Sequence, residues 1–311
     1  MRRFRVAALV GSVLLAATGC LTPLTSQQPL TPVPTPASPL VGVYEPGVPG
    51  SWSQVAGFTS ATGVQPRIVV YYSSWNDPFS TSFAQTAWDH DAYVLVQLEP
   101  TGVTLASIAA GRSDAYLRSY ADAVIAFGHP VILSFAHEMN GTWYSWGDGH
   151  TSPATFVAAW RHVVQVFRAA GAANVTWLWT VNSINGASSA LRQWWPGAAW
   201  VNWTGIDGYY FRPTDTFGSV FGTTIAAIRV ISSAPLLIAE TAVGTTADRE
   251  TQIGALFAGV RAERLAGVVW FDKAQHAGLY HQDWRLEDDA DALAAFSAAV
   301  AADLGAGDPH A

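Results

Sequence analysis

From residue 40 onward the chain alternates short apolar runs, rich in Val, Ile, Leu and aromatic residues, with longer stretches in which apolar residues return every three or four positions. The short runs fall at residues 40–44, 67–72, 93–98, 131–135, 175–180, 203–207, 236–239 and 267–270, and their starts lie 26 to 44 residues apart. Runs of that kind predict buried strands, and the spacing leaves room for a loop, a helix and a return loop between successive strands. The helices declare themselves by their faces and ends. Over 152–171, Ser152 stands as N-cap, Pro153 takes the first helical position, Phe156, Trp160, Val163, Val164 and Phe167 form one stripe, and Gly171 is the stop. Residues 114–128 repeat the scheme with Leu117, Tyr120, Val124 and Phe127, and residues 289–304 with Leu293, Phe296, Val300 and Leu304. Eight strands alternating with helices over roughly 270 residues predict one α/β domain, a closed (β/α)8 TIM barrel spanning 40–311. No glycine-rich phosphate loop follows the first strand, which weakens an open dinucleotide-binding sheet.

The segment before the repeat has a different character. Arg2, Arg3 and Arg5 precede an uncharged run from Val6 to Gly19 that as a helix would be about 20 Å long, too short for a hydrocarbon core of about 30 Å. Residues 1–19 therefore read as a signal peptide. The run ends in LAATG before Cys20 and resembles the lipobox of bacterial lipoproteins, which implies lipidation of Cys20 and export to the cell surface on a lipid anchor. Residues 20–39 are rich in Pro, Thr and Ser, too poor in apolar surface to repay ordering, and predict a tether.

Composition narrows the function. Lys+Arg 16 against Asp+Glu 23 gives a net charge of -7, and removal of the three leader arginines would leave 13 against 23, or -10. Nucleic acid is an unsuitable partner for such a chain. Half the residues are hydrophobic, which excludes a disordered protein, and the one cysteine excludes an internal disulfide and a cysteine zinc cage. No cofactor or metal is expected. The expected assembly is a monomer whose partner is a polysaccharide or oligosaccharide, touching a membrane only through its lipid.

In a barrel of this kind the chemistry belongs at the C-terminal ends of the strands. Those ends carry Glu45, Trp75, Gln97 with Glu99, His137 with Glu138, Asn182, Asp207 with Tyr209, Glu240, and Trp270 with Asp272. Carboxylates and large aromatics dominate, and that is the composition of a sugar site. Glycosidic cleavage needs one carboxylic acid to protonate the departing oxygen and a carboxylate across the anomeric carbon, while aromatic faces stack on the pyranose. Glu138 and Glu240, at the ends of strands 4 and 7, face each other across the mouth.

The segment AHEMNGTWYSWG over 136–147 resembles the strand 4 signature of glycoside hydrolase family 26, a group of retaining β-glycanases. TGIDGYY over 204–210, IAETAVG over 238–244 and VVWFDK over 268–273 resemble its strand 6, 7 and 8 segments. The resemblance implies that Glu138 is the acid/base and Glu240 the nucleophile of a double displacement, and that His137, Trp143, Asp207, Tyr209 and Trp270 line the subsites. Strict alternation turns His137 and Glu138 to opposite faces, so His137 joins the site only if the strand end kinks. Trp143 and Trp146 fall in a loop where indoles lack a packing motive, whereas Trp177, Trp179, Trp194 and Trp195 read as core. Two departures from the mannan-cleaving members bear on substrate: Phe271 stands where an arginine is expected, and the Gln97 to Glu99 stretch replaces a strand 3 histidine. Mannan is the first expectation and mixed-linkage β-1,3-1,4-glucan the second. A metal-dependent hydrolase using His137, Glu138 and Asp207, and a catalytically inactive surface carbohydrate-binding barrel, are the readings from other classes.

Overall fold

The structure, a computed structural model, describes residues 30–184, 190–275 and 282–303. Eight parallel strands close into a barrel in chain order: β1 (Leu40–Tyr44), β2 (Ile68–Ser74), β3 (Tyr93–Glu99), β4 (Val131–Phe135), β5 (Val175–Asn182), β6 (Trp203–Asp207), β7 (Leu236–Thr241) and β8 (Gly267–Phe271), with β8 pairing back onto β1. Around them lie α1 (Ser53–Thr62), α2 (Thr81–Asp89), the short α3 (Leu105–Ala109), α4 (Asp114–Phe127), α5 (Pro153–Ala170), α6 (Thr223–Ile231), α7 (Arg249–Ala262) and α8 (Ala290–Asp303). Every strand predicted from the sequence is present, and β1, β4 and β6 have the predicted limits.

The ends form for the predicted reasons. At α5 the Ser152 hydroxyl accepts the Thr155 N–H at 3.1 Å, Pro153 opens the helix, and Gly171 closes it at φ +94. Large side chains fill the layer between strands and helices: Trp179 of β5, Trp160 of α5 and Trp194 in the helical turn that follows β5 are fully buried, each burial stabilising by about 1.5–3 kcal/mol. The inner faces grow polar toward the C-terminal end. Ser134 and Thr180 share a 3.0 Å hydrogen bond there, and Gly205 leaves the space in which Thr180 Oγ1 would lie 2.7 Å from an added Cβ.

The predicted tether needs correction from residue 30 onward. Within the sequence Pro32-Val33-Pro34, Val33 is buried and its N–H donates to Thr176 Oγ1 on β5 at 2.8 Å. The chain thus crosses the N-terminal opening of the barrel and seats an apolar side chain in it, so the ordered unit begins before Leu40. The prolines that made this stretch read as free also hold it extended, which suits a strap. Residues 1–29, including the predicted signal peptide and Cys20, lie outside the described residues.

Candidate active site

β4 ends at Phe135, and the next residues leave strand geometry: Ala136 and Glu138 lie in the left-handed region, at φ +50 and +54. Two non-glycine residues in that region cost of order 1–3 kcal/mol each. The strain turns the adjacent His137 and Glu138 both toward the mouth, which an undisturbed strand forbids. Several bonds hold the kink. Glu138 N–H donates to Thr180 O at 3.0 Å, Trp146 Nε1 donates to His137 O at 2.8 Å, and the Asn140 amide pairs with the backbone of Asn182 through two 2.8 Å bonds.

Glu138 is buried and accepts from two donors at 2.8 Å: Asn182 Nδ2 on Oε1 and Trp143 Nε1 on Oε2. Trp143 is 55% exposed, so one of these donors stands in the open mouth. Its ring lies over Gly141, where an added Cβ would come within 2.3 Å of the indole. Burial raises the Glu138 carboxyl above its ordinary range, and the two hydrogen bonds partly offset that.

Glu240, at the inner face of β7, is held more tightly. Tyr72 Oη donates to Oε1 at 2.5 Å, Tyr209 Oη donates to Oε2 at 2.9 Å, and Gln97 Nε2 approaches Oε1 at 3.4 Å. No cation takes part in these contacts. Burial first, and the Glu138 charge second, push its carboxyl up to about 8 against the opposing pull of the tyrosines. Two buried carboxyls that repel each other this way share one proton near neutrality.

Asp207 faces Glu240 across the β6–β7 register and is wholly buried, with neither carboxylate oxygen hydrogen-bonded among the described residues. Burial, then Glu240 and Glu138, raise it far above the usual carboxylate range, which favours the protonated form. His137 packs between Tyr72 and Tyr144, with Nε2 at 3.2 Å from the Tyr144 hydroxyl. Burial lowers its imidazole to about 3, so the ring is neutral. His137, Glu138 and Asp207 do not converge as ligands, and no metal-holding cluster of three or more such side chains occurs among the described residues.

The structure thus brings Glu138, Glu240, His137, Trp143, Asp207 and Tyr209 together and leaves Trp270 out. Trp270 is buried on the outer face of β8, donating Nε1 to Trp284 O at 3.0 Å and packing on Phe296 of α8. The mouth receives its neighbour Phe271, stacked on Tyr44 at 4.6 Å between centroids and edge-on to Tyr209 at 5.8 Å. Trp146 is also a packing residue, 3% exposed and stacked on Tyr144 at 4.2 Å. Trp75 is buried against Tyr116 and Phe135 at the edge of the site. Trp177, Trp179 and Trp194 are core as expected, and Trp195 packs half-buried on Trp179. Among the residues singled out from the sequence Tyr72 is absent, and Phe271 appears only as standing where an arginine is expected; the β2–β3 register that pairs Tyr72 with Gln97, whose amide reaches Glu240, is the signal that turns Tyr72 inward.

Comparison with known proteins decides what kind of mouth this is. The sequence profile of glycosyl hydrolase family 26 matches residues 71–285, which hold both glutamates and every aromatic of the site except Tyr44. The chain belongs to that family. Among curated proteins, this family 26 chain is 30% identical over 287 residues, 84% of its length, to a protein of Acetivibrio thermocellus named Endoglucanase H, of which the match covers 31%. It is 29% identical over 52% of its length to a β-1,3-xylanase of Vibrio sp, covering 36% of that protein. The chain therefore spans about a third of the length of these relatives. Its fold matches the catalytic domain of a Bacillus sp. JAMB-750 family 26 endo-β-1,4-mannanase with TM-score 0.69 at 16% identity, covering 87% of this chain and 88% of that one. A Cellulomonas fimi endo-β-1,4-mannanase matches with TM-score 0.66 at 19% identity, covering 85% and 70%.

Proposed function

We propose that this family 26 chain is a retaining endo-β-glycanase acting by double displacement, with Glu138 as acid/base and Glu240 as nucleophile. The observation that carries the assignment is the unequal setting of the two carboxyls. Glu240 is gripped at both oxygens by half-buried tyrosines that donate and need no proton from it, which favours the ionised form. Glu138 has fewer donors, and Oε2 meets only the exposed Trp143, which a sugar entering the mouth can displace. The shared proton therefore rests on Glu138. In the first step Glu240 attacks the anomeric carbon while the Glu138 proton passes to the departing glycosidic oxygen; in the second, Glu138 takes a proton from water as that water releases the sugar from Glu240.

Substrate is the finer part of the proposal. Mannan, the first expectation, rested on resemblance to mannanases, and this chain places Phe271 in the mouth followed by Asp272, with no arginine at either position. The relationship that covers most of the chain is to a protein named Endoglucanase H, which favours a β-glucan such as the mixed-linkage polymer. A reducing-sugar assay on mannan, glucomannan, mixed-linkage β-glucan and β-1,3-xylan tests this, with β-glucan expected fastest; a clear preference for mannan would reverse the order. Proton NMR of early product should show the β anomer first, and initial α anomer would overturn the retaining assignment.

The proposal extends to location. The Cys20 sequence context supports export with a lipid anchor, and the strap supports a definite orientation. Residues 30–39 cross the N-terminal face of the barrel, and the mouth opens on the opposite face, so an anchor about ten residues before Leu30, at most about 36 Å of chain, would hold the mouth away from the membrane. Wild-type protein made in a bacterial host should partition into detergent, and Cys20→Ser should not; equal partitioning would remove the anchor from the account.

A further inference from the structure

Glu99 is a third carboxyl in the mouth, and neither assigned catalytic step uses it. It closes β3 two residues after Gln97, whose amide reaches Glu240, so the two share the inner face and Glu99 stands one layer nearer the opening. Leu98 between them is fully buried on the outer face. Glu99 itself is half-buried, and no hydrogen bond or ion pair reaches its carboxylate among the described residues. The four titratable groups around it come from three parts of the barrel: Tyr44 at the end of β1, Glu138 and Tyr144 after β4, and Glu240 on β7, all acidic or phenolic.

A half-buried carboxylate beside another carboxyl, with no cation and no donor, is an unfavourable arrangement for the empty protein. Its two oxygens accept side by side, and what completes such a pair is a pair of neighbouring hydroxyls that donate together. A pyranose ring offers that pair wherever two adjacent carbons carry equatorial hydroxyls. Resting on the reading of this cleft as a glycanase site, we propose that Glu99 is a specificity-determining ligand of the sugar ring next to the one being cleaved, binding a vicinal diol through both carboxylate oxygens. The proposal also accounts for the charge state of the empty site. Burial and the Glu138 charge lift the Glu99 carboxyl to about 7, and two donated hydroxyls would favour its ionised form, so sugar binding should strengthen as pH rises through that value.

The test is calorimetric titration of a cello- or mixed-linkage oligosaccharide series into Glu240→Gln protein, with and without Glu99→Ala, and the same with Glu99→Gln. Affinity for oligosaccharides long enough to fill the neighbouring subsite should drop about 10- to 100-fold in Glu99→Ala. Affinity for a single sugar should be unchanged, and the rise in affinity between pH 6 and 8 should disappear in Glu99→Gln. Equal loss for short and long sugars, or no loss, would overturn the assignment, the first because Glu99 would then act only on the charge of Glu138. Chain-length-dependent binding that needs Glu99, in a wild-type protein that hydrolyses none of the polysaccharides, would sink the glycanase reading and leave Glu99 as a sugar ligand. Hydrolysis with no Glu99 effect would do the reverse, and a protein that binds none of the oligosaccharides would overturn both.

Discussion

Glu138 and Glu240, proposed as acid/base and nucleophile, differ in what holds them, and single donors should therefore move single limbs of the pH profile. Tyr72 gives Glu240 its shortest hydrogen bond. Tyr72→Phe removes a donor to the ionised nucleophile, so its carboxyl should rise above about 8 and the acid limb of kcat/KM should shift to higher pH, with the rate at neutral pH falling about 10- to 100-fold. An acid limb that stays in place would mean that Tyr72 does not act on Glu240. Trp143 works on the other partner. Trp143→Phe keeps an aromatic ring but loses the N–H that lowers Glu138, so the basic limb should move upward while the acid limb stays. Gly141→Ala should mimic that shift without touching Trp143 itself, because the new methyl would collide with the indole and push it off Glu138. A Gly141→Ala profile that coincides with wild type would disprove the coupling.

At the scale of elements, the strands and helices could be read from the sequence because each is a length of apolar residues closed by ordinary stop signals. The faces of the strands were harder to read. A parallel strand covered on both sides is apolar at every position, so in β8 nothing in Val-Val-Trp-Phe says which aromatic looks inward. The family resemblance and its place on strand 8 put Trp270 forward as a sugar platform, and the structure gives the place to Phe271. The same ambiguity hid Tyr72 behind Tyr71, which packs outward on Phe83. Glu138 and Glu240 were legible because a carboxyl ending an apolar strand has few other uses, whereas the kink that admits His137 depends on the Asn140 and Asn182 pairing, a contact 42 residues apart. These placements make opposite predictions for neighbouring residues. Phe271→Ala should weaken substrate binding and raise KM with little change in melting temperature. Trp270→Ala should instead destabilise the fold by about 3–5 kcal/mol, seen as a lower denaturation midpoint, with KM of the folded fraction unchanged. A reversal of these two effects would return Trp270 to the mouth.

The whole molecule keeps an unusual number of acids inside. Glu138, Asp207 and Glu240 line the mouth, and Glu45 and Asp272 lie buried together where β1 meets β8. Burial, with the charges of Asp272 and Glu287 added, pushes Glu45 up to about 9; burial, with the hydrogen bond and charge of Glu287 added, pushes Asp272 up to about 8 against the opposing hydrogen bonds of Leu286 and Glu45. An unfolded carboxyl titrates near 4, so the folded state holds extra protons between about pH 4 and 9. The stability these acids contribute is complete below the unfolded value and is lost as pH rises through the folded ones. Melting temperature should therefore fall steadily from about pH 5 to pH 9, and Glu45→Gln, which needs no proton to stay neutral, should flatten part of the slope. A melting temperature that climbs with pH over that range would contradict the inward acids.

Function at the molecular scale rests on Glu138 and Glu240 having separate roles, and leaving-group dependence with azide rescue measures this most directly. Glu138→Ala should lose most activity on polysaccharide, whose alkoxide leaving group needs a proton, yet still release phenolate from an activated aryl glycoside in a burst. Azide should then restore turnover and give a β-glycosyl azide. Glu240→Ala should be nearly inactive on both substrates, with azide giving at most an α product. Equal losses for the two variants on both substrates, with no response to azide in either, would contradict the assignment of acid/base and nucleophile.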